Sequence, residues 1–222
     1  MKKRPWKYIF LFLILILAAQ LLLPVVAERK LNKIILSQVE EIGELDIELV
    51  SFPSMEILLG KIDFVEISAE KPVYQDLLIR SLDVKYRDVL LKGNTFEGEN
   101  TYLRILITED DLNNYLKHTS PDLADLKISL KPDQVLLVGK VPFLNTSLNL
   151  RITGGFLVKN EENKVVFQPE EMKVERVNIP VNLLSKYIED AYFTLDLNQL
   201  NFPLEIDKVK VEEGQIIIAN DG

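Results

Sequence analysis

The chain has no cysteine and a single histidine, His118. The first absence excludes disulfides, thiolate catalysis and Cys-ligated zinc or iron–sulfur centres. The second excludes a His-rich metal site within one chain, and any Ser-His-Asp arrangement would have to use His118. No G-x-S-x-G, P-loop or G-x-G-x-x-G motif is present. Basic charge is also scarce, with 26 Lys and Arg against 34 Asp and Glu and a net charge of −8. Residues 1–27 hold four of the bases (Lys2, Lys3, Arg4, Lys7) and no acid, so residues 28–222 alone stand at −12, four below the whole chain. So acidic a body is a poor partner for nucleic acid, whose binding needs Lys and Arg to neutralise phosphates. With 47% hydrophobic and 27% charged residues, the chain is neither a disordered tail nor a polytopic membrane protein.

What is present begins with a membrane signal. Four cations precede an uncharged apolar run over residues 9–27, broken only by Gln20 and Pro24. An export machinery reads that order and holds the positive end on the cytoplasmic side. Two outcomes are compatible with it. Val25-x-Ala27 behind Pro24 is an acceptable signal-peptidase site; alternatively the 19 residues, about 28 Å as a helix, span a bilayer core of about 30 Å and stay as an anchor. Either way residues 28–222, undivided by any low-complexity linker, are expected to form one exported domain.

Residues 28–42 place Leu31, Ile34, Ile35, Val39 and Ile42 on one face of an amphipathic helix. From Glu44 the period becomes two, and strand patterns follow at 44–51, 61–70, 78–90 and 102–107. A short apolar turn closed by Gly60 separates the first two, and the third sets Leu78, Leu82, Val84, Tyr86 and Leu90 on one face. Thr108 caps a helix opening with Glu109, Asp110 and Asp111 and carrying Leu112, Tyr115 and Leu116 inward. Ser120-Pro121 signals one further turn. Strand-like runs then cover 126–130, 135–141, 146–153, 156–158, 165–167 and 172–177, with Gly154-Gly155 and Asn160 to Asn163 as turns between them. Pro180 opens a second amphipathic helix with Leu184, Tyr187, Ile188 and Ala191 inward, and the chain closes on strands at 193–197, 205–211 and 215–219. Strands joined by short turns, without βαβ alternation, predict an α+β fold with helices on one face of an antiparallel sheet.

Candidate chemistry is sparse. The acidic trio 109–111 reads as helix capping rather than a cation site, and His118 as a helix-end residue. Asn145-Thr-Ser147 matches a glycosylation sequon, a pattern common by chance. Neither a metal nor a cofactor is expected. Several strands carry large apolar residues on both faces, as at Phe64/Val65 and Ile216/Ile217, which a sheet with one wet face does not need. Either helices cover the second face, or a curved sheet and a helix leave an apolar groove for acyl chains.

The order of short motifs resembles the LmeA-like phospholipid-binding family. The matching residues are Glu40-Glu-Ile-Gly43, Pro53 with Leu58-Leu59-Gly60, residues 82–93, Ile107-Thr-Glu-Asp-Asp-Leu-Asn113, residues 135–139, Ile179-Pro180 and Phe202-Pro203-Leu204. Phe202 stands where a leucine is expected, and the chain is unusually acidic. The resemblance implies a TULIP-like fold, a long, strongly curved antiparallel sheet wrapped around amphipathic helices, preceded here by the transmembrane or signal helix. It also implies non-enzymatic binding of phospholipid and, in actinobacterial relatives, support of cell-envelope assembly. The family offers no catalytic residue; apolar helix and turn positions nominate Ile35, Val39, Leu58, Leu59, Leu184 and Ile188 as lipid contacts. The expected partners are a phospholipid or other acyl-chain lipid and the membrane through the N-terminal helix. The competing expectations are an envelope interaction module with a fully packed core, and a hydrolase depending on His118 or an acidic pair.

Overall fold

The computed structural model describes residues 6–119, 125–143, 146–174, 177–178, 193–199 and 203–220. In it Pro24 does not end the leader: Trp6–Leu36 is one helix, α1, with the proline inside. The leader and the amphipathic helix expected at 28–42 are therefore continuous, and the helix stops at Leu36. Proline has no N–H, so the carbonyl four residues earlier loses its helical partner. That carbonyl belongs to Gln20, and the Ser54 hydroxyl donates to it at 3.3 Å. The Ser54 N–H donates to Gln20 Oε1 at 3.1 Å. A partner from outside replaces part of what the proline removes, and the helix runs on. Its N-terminal turns are bare, while Ala27, Leu31, Ile34 and Ile35 enter the core. The last turn is closed by the Ser37 hydroxyl on the Ile34 carbonyl, 2.6 Å.

Strands β1 (Glu44–Val50), β2 (Lys61–Glu70), β5 (Ser81–Lys92), β6 (Thr95–Thr108), β14 (Gln215–Ala219) and β13 (Lys208–Glu212) form one antiparallel sheet in that order. The 3-10 turn Ser54–Leu59, closed by Gly60 in the left-handed region, joins β1 to β2. Between β2 and β5 a two-stranded hairpin, β3 (Val73–Tyr74) and β4 (Leu77–Leu78), stands apart. Period-two burial holds along β6 at Leu103, Ile105 and Ile107, and along β5 at Leu82, Val84 and Tyr86. It fails further along β5, where Val89 is buried and Leu90 is not. Asp88 is left-handed (φ 50°), and the β5–β6 register shifts between Arg87 and Leu90, which turns the next side chain inward. Strand β6 also begins earlier than the expected Tyr102, because its first half pairs β5 across the tight turn at Gly93.

The second sheet runs β11 (Val177–Asn178), β10 (Lys164–Val174), β9 (Thr146–Lys159), β8 (Gln134–Phe143), β7 (Lys127–Lys131), with β12 (Thr194–Asp196) also on β10. Here Gly154-Gly155 is not the expected turn: β9 continues through both glycines, paired with β8 and β10. A Cβ on Gly154 would stand 2.2 Å from the Gln168 carbonyl oxygen, so the glycine admits a neighbouring backbone instead of reversing the chain. The expected strands at 165–167 and 172–177 are likewise joined in β10 by a register shift between Pro169 and Glu171. One of the sheets curls strongly into a half-barrel, and the whole is α+β. Buried residues of both sheets and of α1 share a hydrophobic core.

Helix α2 (Glu109–Thr119) starts as its cap signal predicts. Asp111 accepts from the Thr108 N–H and hydroxyl (3.1 and 2.5 Å), and its own N–H donates to Thr108 Oγ1 at 3.3 Å. Asp111 is 2% exposed and pairs with Arg80 at 2.9 Å, while Glu109 accepts from the Leu130 N–H at 2.8 Å. The acids thus cap and staple the helix. His118 lies within its last turn rather than beyond it. The expected turn at Ser120-Pro121, the expected helix with Leu184 and Ile188, Asn145, and the motif residues Ile179, Pro180 and Phe202 lie outside the described residues.

Candidate functional site

Where α1 ends, its last turn meets the inner face of the first sheet across a gap. Ile35, Val39 and Ile42 line it from the helix side, Ala69, Leu82 and Ile105 from β2, β5 and β6. The β3–β4 hairpin and its flanks close the gap with Pro72, Tyr74 and Ile79, and Leu197 and Leu204 complete it. No polar atom faces the space, whose volume is about 20 Å³. That is room for one water-sized sphere, with no polar partner to hold a water there. The two larger depressions, about 590 and 650 Å³, are open and polar, with Glu44, Asp46, Glu70 and Asp83 around one and Lys85, Arg87, Glu99 and Asp207 around the other. Hydrocarbon would leave those charged walls without solvation, so of these three spaces among the described residues the gap at Ile35 is the one whose lining suits an acyl chain.

The hairpin over the gap is tied to its surroundings through backbone bonds, the Tyr74 hydroxyl and the buried Leu77 and Ile79. Gln75 and Asp76 at its tip are both left-handed (φ 53° and 62°), the conformation of a two-residue hairpin turn. Val73 exchanges backbone bonds with the segment after α1: Glu40 N–H to the Val73 carbonyl (2.9 Å) and Val73 N–H to the Glu41 carbonyl (2.8 Å). Across the gap the Tyr74 hydroxyl donates to the Asp196 carbonyl at 2.7 Å. Burial first, and then the Asp196 charge, push the Tyr74 phenol from its ordinary 10 up to about 12. Burial pulls the Asp196 carboxyl upward, but bonds from the Asn198 N–H and amide and from Lys164 outweigh it and hold the group below its usual range.

The residues nominated as lipid contacts fall in two places. Ile35 and Val39 line the gap. Leu58 and Leu59 lie at the other end of the sheet, 65% and 73% exposed on the 3-10 turn beside Gln20. Fifteen residues, about 22 Å of helix, separate Gln20 from Ile35. Leu184 and Ile188 are outside the described residues. Sequence reasoning missed Pro72, Tyr74, Ile79, Leu197 and Leu204. Gln75-Asp76 lacks the usual Asn-Gly hairpin signal, and the segments around 197 and 204 are irregular, without a period to read.

The described residues thus set an antiparallel sheet against an apolar helix, with a small gap of apolar lining between them. Among the described residues no three His, Cys, Asp or Glu side chains gather to hold a metal ion. The LmeA-like phospholipid-binding family matches residues 18–220, and the chain belongs to it. That family is one of phospholipid-binding domains, not a known enzyme family. Neither the curated proteins nor the solved structures provide a match to the chain.

Proposed function

We propose that the chain is a single-pass, non-enzymatic phospholipid-binding protein, with residues 28–222 as one domain on the extracytoplasmic side of the membrane. There it holds or passes on a lipid whose acyl chain enters the seam at Ile35, in support of cell-envelope assembly. The observation that carries this reading is a gap bordered only by apolar atoms in a chain of the phospholipid-binding family. Among the described residues α1 is the one helix long and apolar enough to cross a membrane, and its most apolar stretch is bare. Lys2, Lys3, Arg4 and Lys7 favour a cytoplasmic N-terminus. Retention of the leader is supported by the unbroken helix through Pro24, whose continuation packs Ala27, Leu31, Ile34 and Ile35 into the core. An acyl chain needs far more than 20 Å³, so the bound state requires the walls of the gap to part. Each methylene then buried contributes about 0.8 kcal/mol.

A second reading, an interaction module with a closed core, is favoured by that same small volume. One experiment separates them. The full chain is reconstituted with a phospholipid carrying a photoactivatable diazirine in its acyl chain, illuminated, and its adducts are mapped by mass spectrometry. The lipid reading expects adducts at Ile35, Tyr74 or Leu204, and their loss in an Ile35→Trp variant that fills the gap. Adducts confined to the bare turns of α1 and to the turn at 52–59 would leave only the closed module.

A further inference from the structure

Outside α1, seven large apolar side chains are exposed among the described residues, and five of them fall between Val50 and Leu59. Phe52 is 80% exposed, Leu59 73%, Leu58 65% and Met55 47%. So local a cluster marks an interaction surface rather than the scattered apolar exposure of an ordinary surface. We propose that the 52–59 turn is sunk in the near leaflet of the bilayer that α1 crosses, as a second membrane contact beside the span.

Helix length forces the placement. Residues 9–27 are the uncharged stretch of α1, 19 residues and about 28 Å, which a hydrocarbon core of about 30 Å needs in full. A span ending at Gln20 would offer 12 residues, about 18 Å, and would strand Leu21, Leu22 and Val26 in water at 59% exposure or more. With the full stretch immersed, Gln20 sits seven residues, about 10 Å, below the hydrocarbon edge at Ala27. Ser54 is bonded to both the side chain and the backbone carbonyl of Gln20, so the apolar side chains of the turn are carried to that depth. The carboxylates of Glu56 on the turn and of Asp63, which accepts from the Phe52 N–H at 2.8 Å, must reach back toward the headgroups. The same bonds satisfy Gln20 and the carbonyl freed by Pro24, groups that hydrocarbon would otherwise leave unpaired. Strand β1 runs from the end of α1 back toward Gln20, which makes the turn the membrane-side tip of the sheet. Lys61 is exposed and suits the headgroup layer above the apolar tip, while Lys92 of the neighbouring β5–β6 turn is ion-paired with Glu97 at 2.7 Å. A depth of about 10 Å matches the reach of interfacial apolar elements, roughly 5–10 Å.

The inference rests on α1 as the membrane span and not on the lipid seam. Because the chain is free of cysteine, one introduced thiol carries one label. Leu58→Cys and Leu59→Cys are each labelled with an environment-sensitive nitrobenzoxadiazole dye, beside Leu22→Cys in the span and Glu48→Cys on the exposed side of β1. The full-length variants are reconstituted in phosphatidylcholine–phosphatidylglycerol vesicles with and without nitroxide-bearing acyl chains. The expected result is a blue-shifted emission and loss of signal to the nitroxide at 58, 59 and 22, with neither at 48. Labels at 58 and 59 that behave as at 48, while 22 is quenched, overturn the proposal and leave the span intact. A wet label at 22 overturns the span and this inference together, without touching the seam. A blue shift at 58 without nitroxide quenching, fading as protein is diluted in lipid, assigns the turn to a second copy of the chain and also overturns it.

Discussion

Truncating Ile35 tests the seam through stability and ligand together. The side chain is 2% exposed and forms one wall of the gap. Ile35→Ala removes three methylene-sized groups, about 2.4 kcal/mol of transfer free energy. The enlarged hole adds a cavity cost, which places the total within the about 2–5 kcal/mol measured for such truncations. Helix propensity does not confuse the result, since alanine is the better helix former. For a chain of this size each kcal/mol lowers Tm by roughly 2–4 °C. Leu150→Ala is the control, 3% exposed on β9 and away from the gap. A soluble short-chain phospholipid at 100 times its Kd stabilises the folded state by about 2.7 kcal/mol. If an acyl chain occupies the seam, it fills the hole left at residue 35 and restores more stability to Ile35→Ala than to Leu150→Ala. Denaturant midpoints of both variants, with and without the lipid, provide the four numbers. Equal recovery in both variants, or none in either, would refute the reasoning.

Alkaline pH should loosen the hairpin over the seam. The folded Tyr74 phenol is raised to about 12, so its stabilising contribution is whole below pH 10 and is lost as pH rises through about 12. Amide exchange at Val73 and Ile79 should accelerate in that window, after correction for intrinsic rates, and Tyr74→Phe should abolish the step while costing about 0.5–1.5 kcal/mol at neutral pH. An unchanged alkaline step in Tyr74→Phe would show that the phenol does not hold the hairpin. The two adjacent glycines of β9 should differ sharply. Gly154→Ala meets the Gln168 carbonyl and should cost about 1–3 kcal/mol, as overpacking does. Gly155→Ala meets nothing within 4 Å and should be neutral or gain about 0.4–1 kcal/mol. Similar denaturant midpoints for the two would contradict the close-approach account.

The elements that could be read in advance are those governed by neighbours in sequence. Thr108 and Asp111 are three apart, so the cap of α2 was legible as a pattern before its bonds were seen. Period two identified β1, β2 and the Leu82, Val84 and Tyr86 face of β5 because a half-buried strand imposes it on the chain. Reading stalled or failed where a local signal was answered by a distant partner. At Pro24 the sequence left both a break and a continuous helix open, and Ser54, thirty residues on, takes up the Gln20 carbonyl of the continuous one. Gly154-Gly155 suggests a turn until the Gln168 carbonyl is found against it. Asp88 carries no conventional bulge signal, yet its left-handed backbone exchanges Leu90 for Val89 in the core.

The amino-acid order alone determined an apolar leader behind four cations, an antiparallel α+β body and the family likeness, because charge order, periodicity and capping are one-dimensional properties. It also supplied Ile35, Val39, Leu58 and Leu59 as apolar positions without a place for them. Only the tertiary structure decided that the first two share an apolar seam while the last two stand bare about 22 Å away along the helix. The physical reason is that period tells which way a side chain points, whereas burial depends on what arrives to cover it. Over the seam that cover includes Tyr74, bonded to a carbonyl 122 residues away, whereas at the 52–59 turn α1 covers Ser54 and leaves Phe52, Met55, Leu58 and Leu59 exposed.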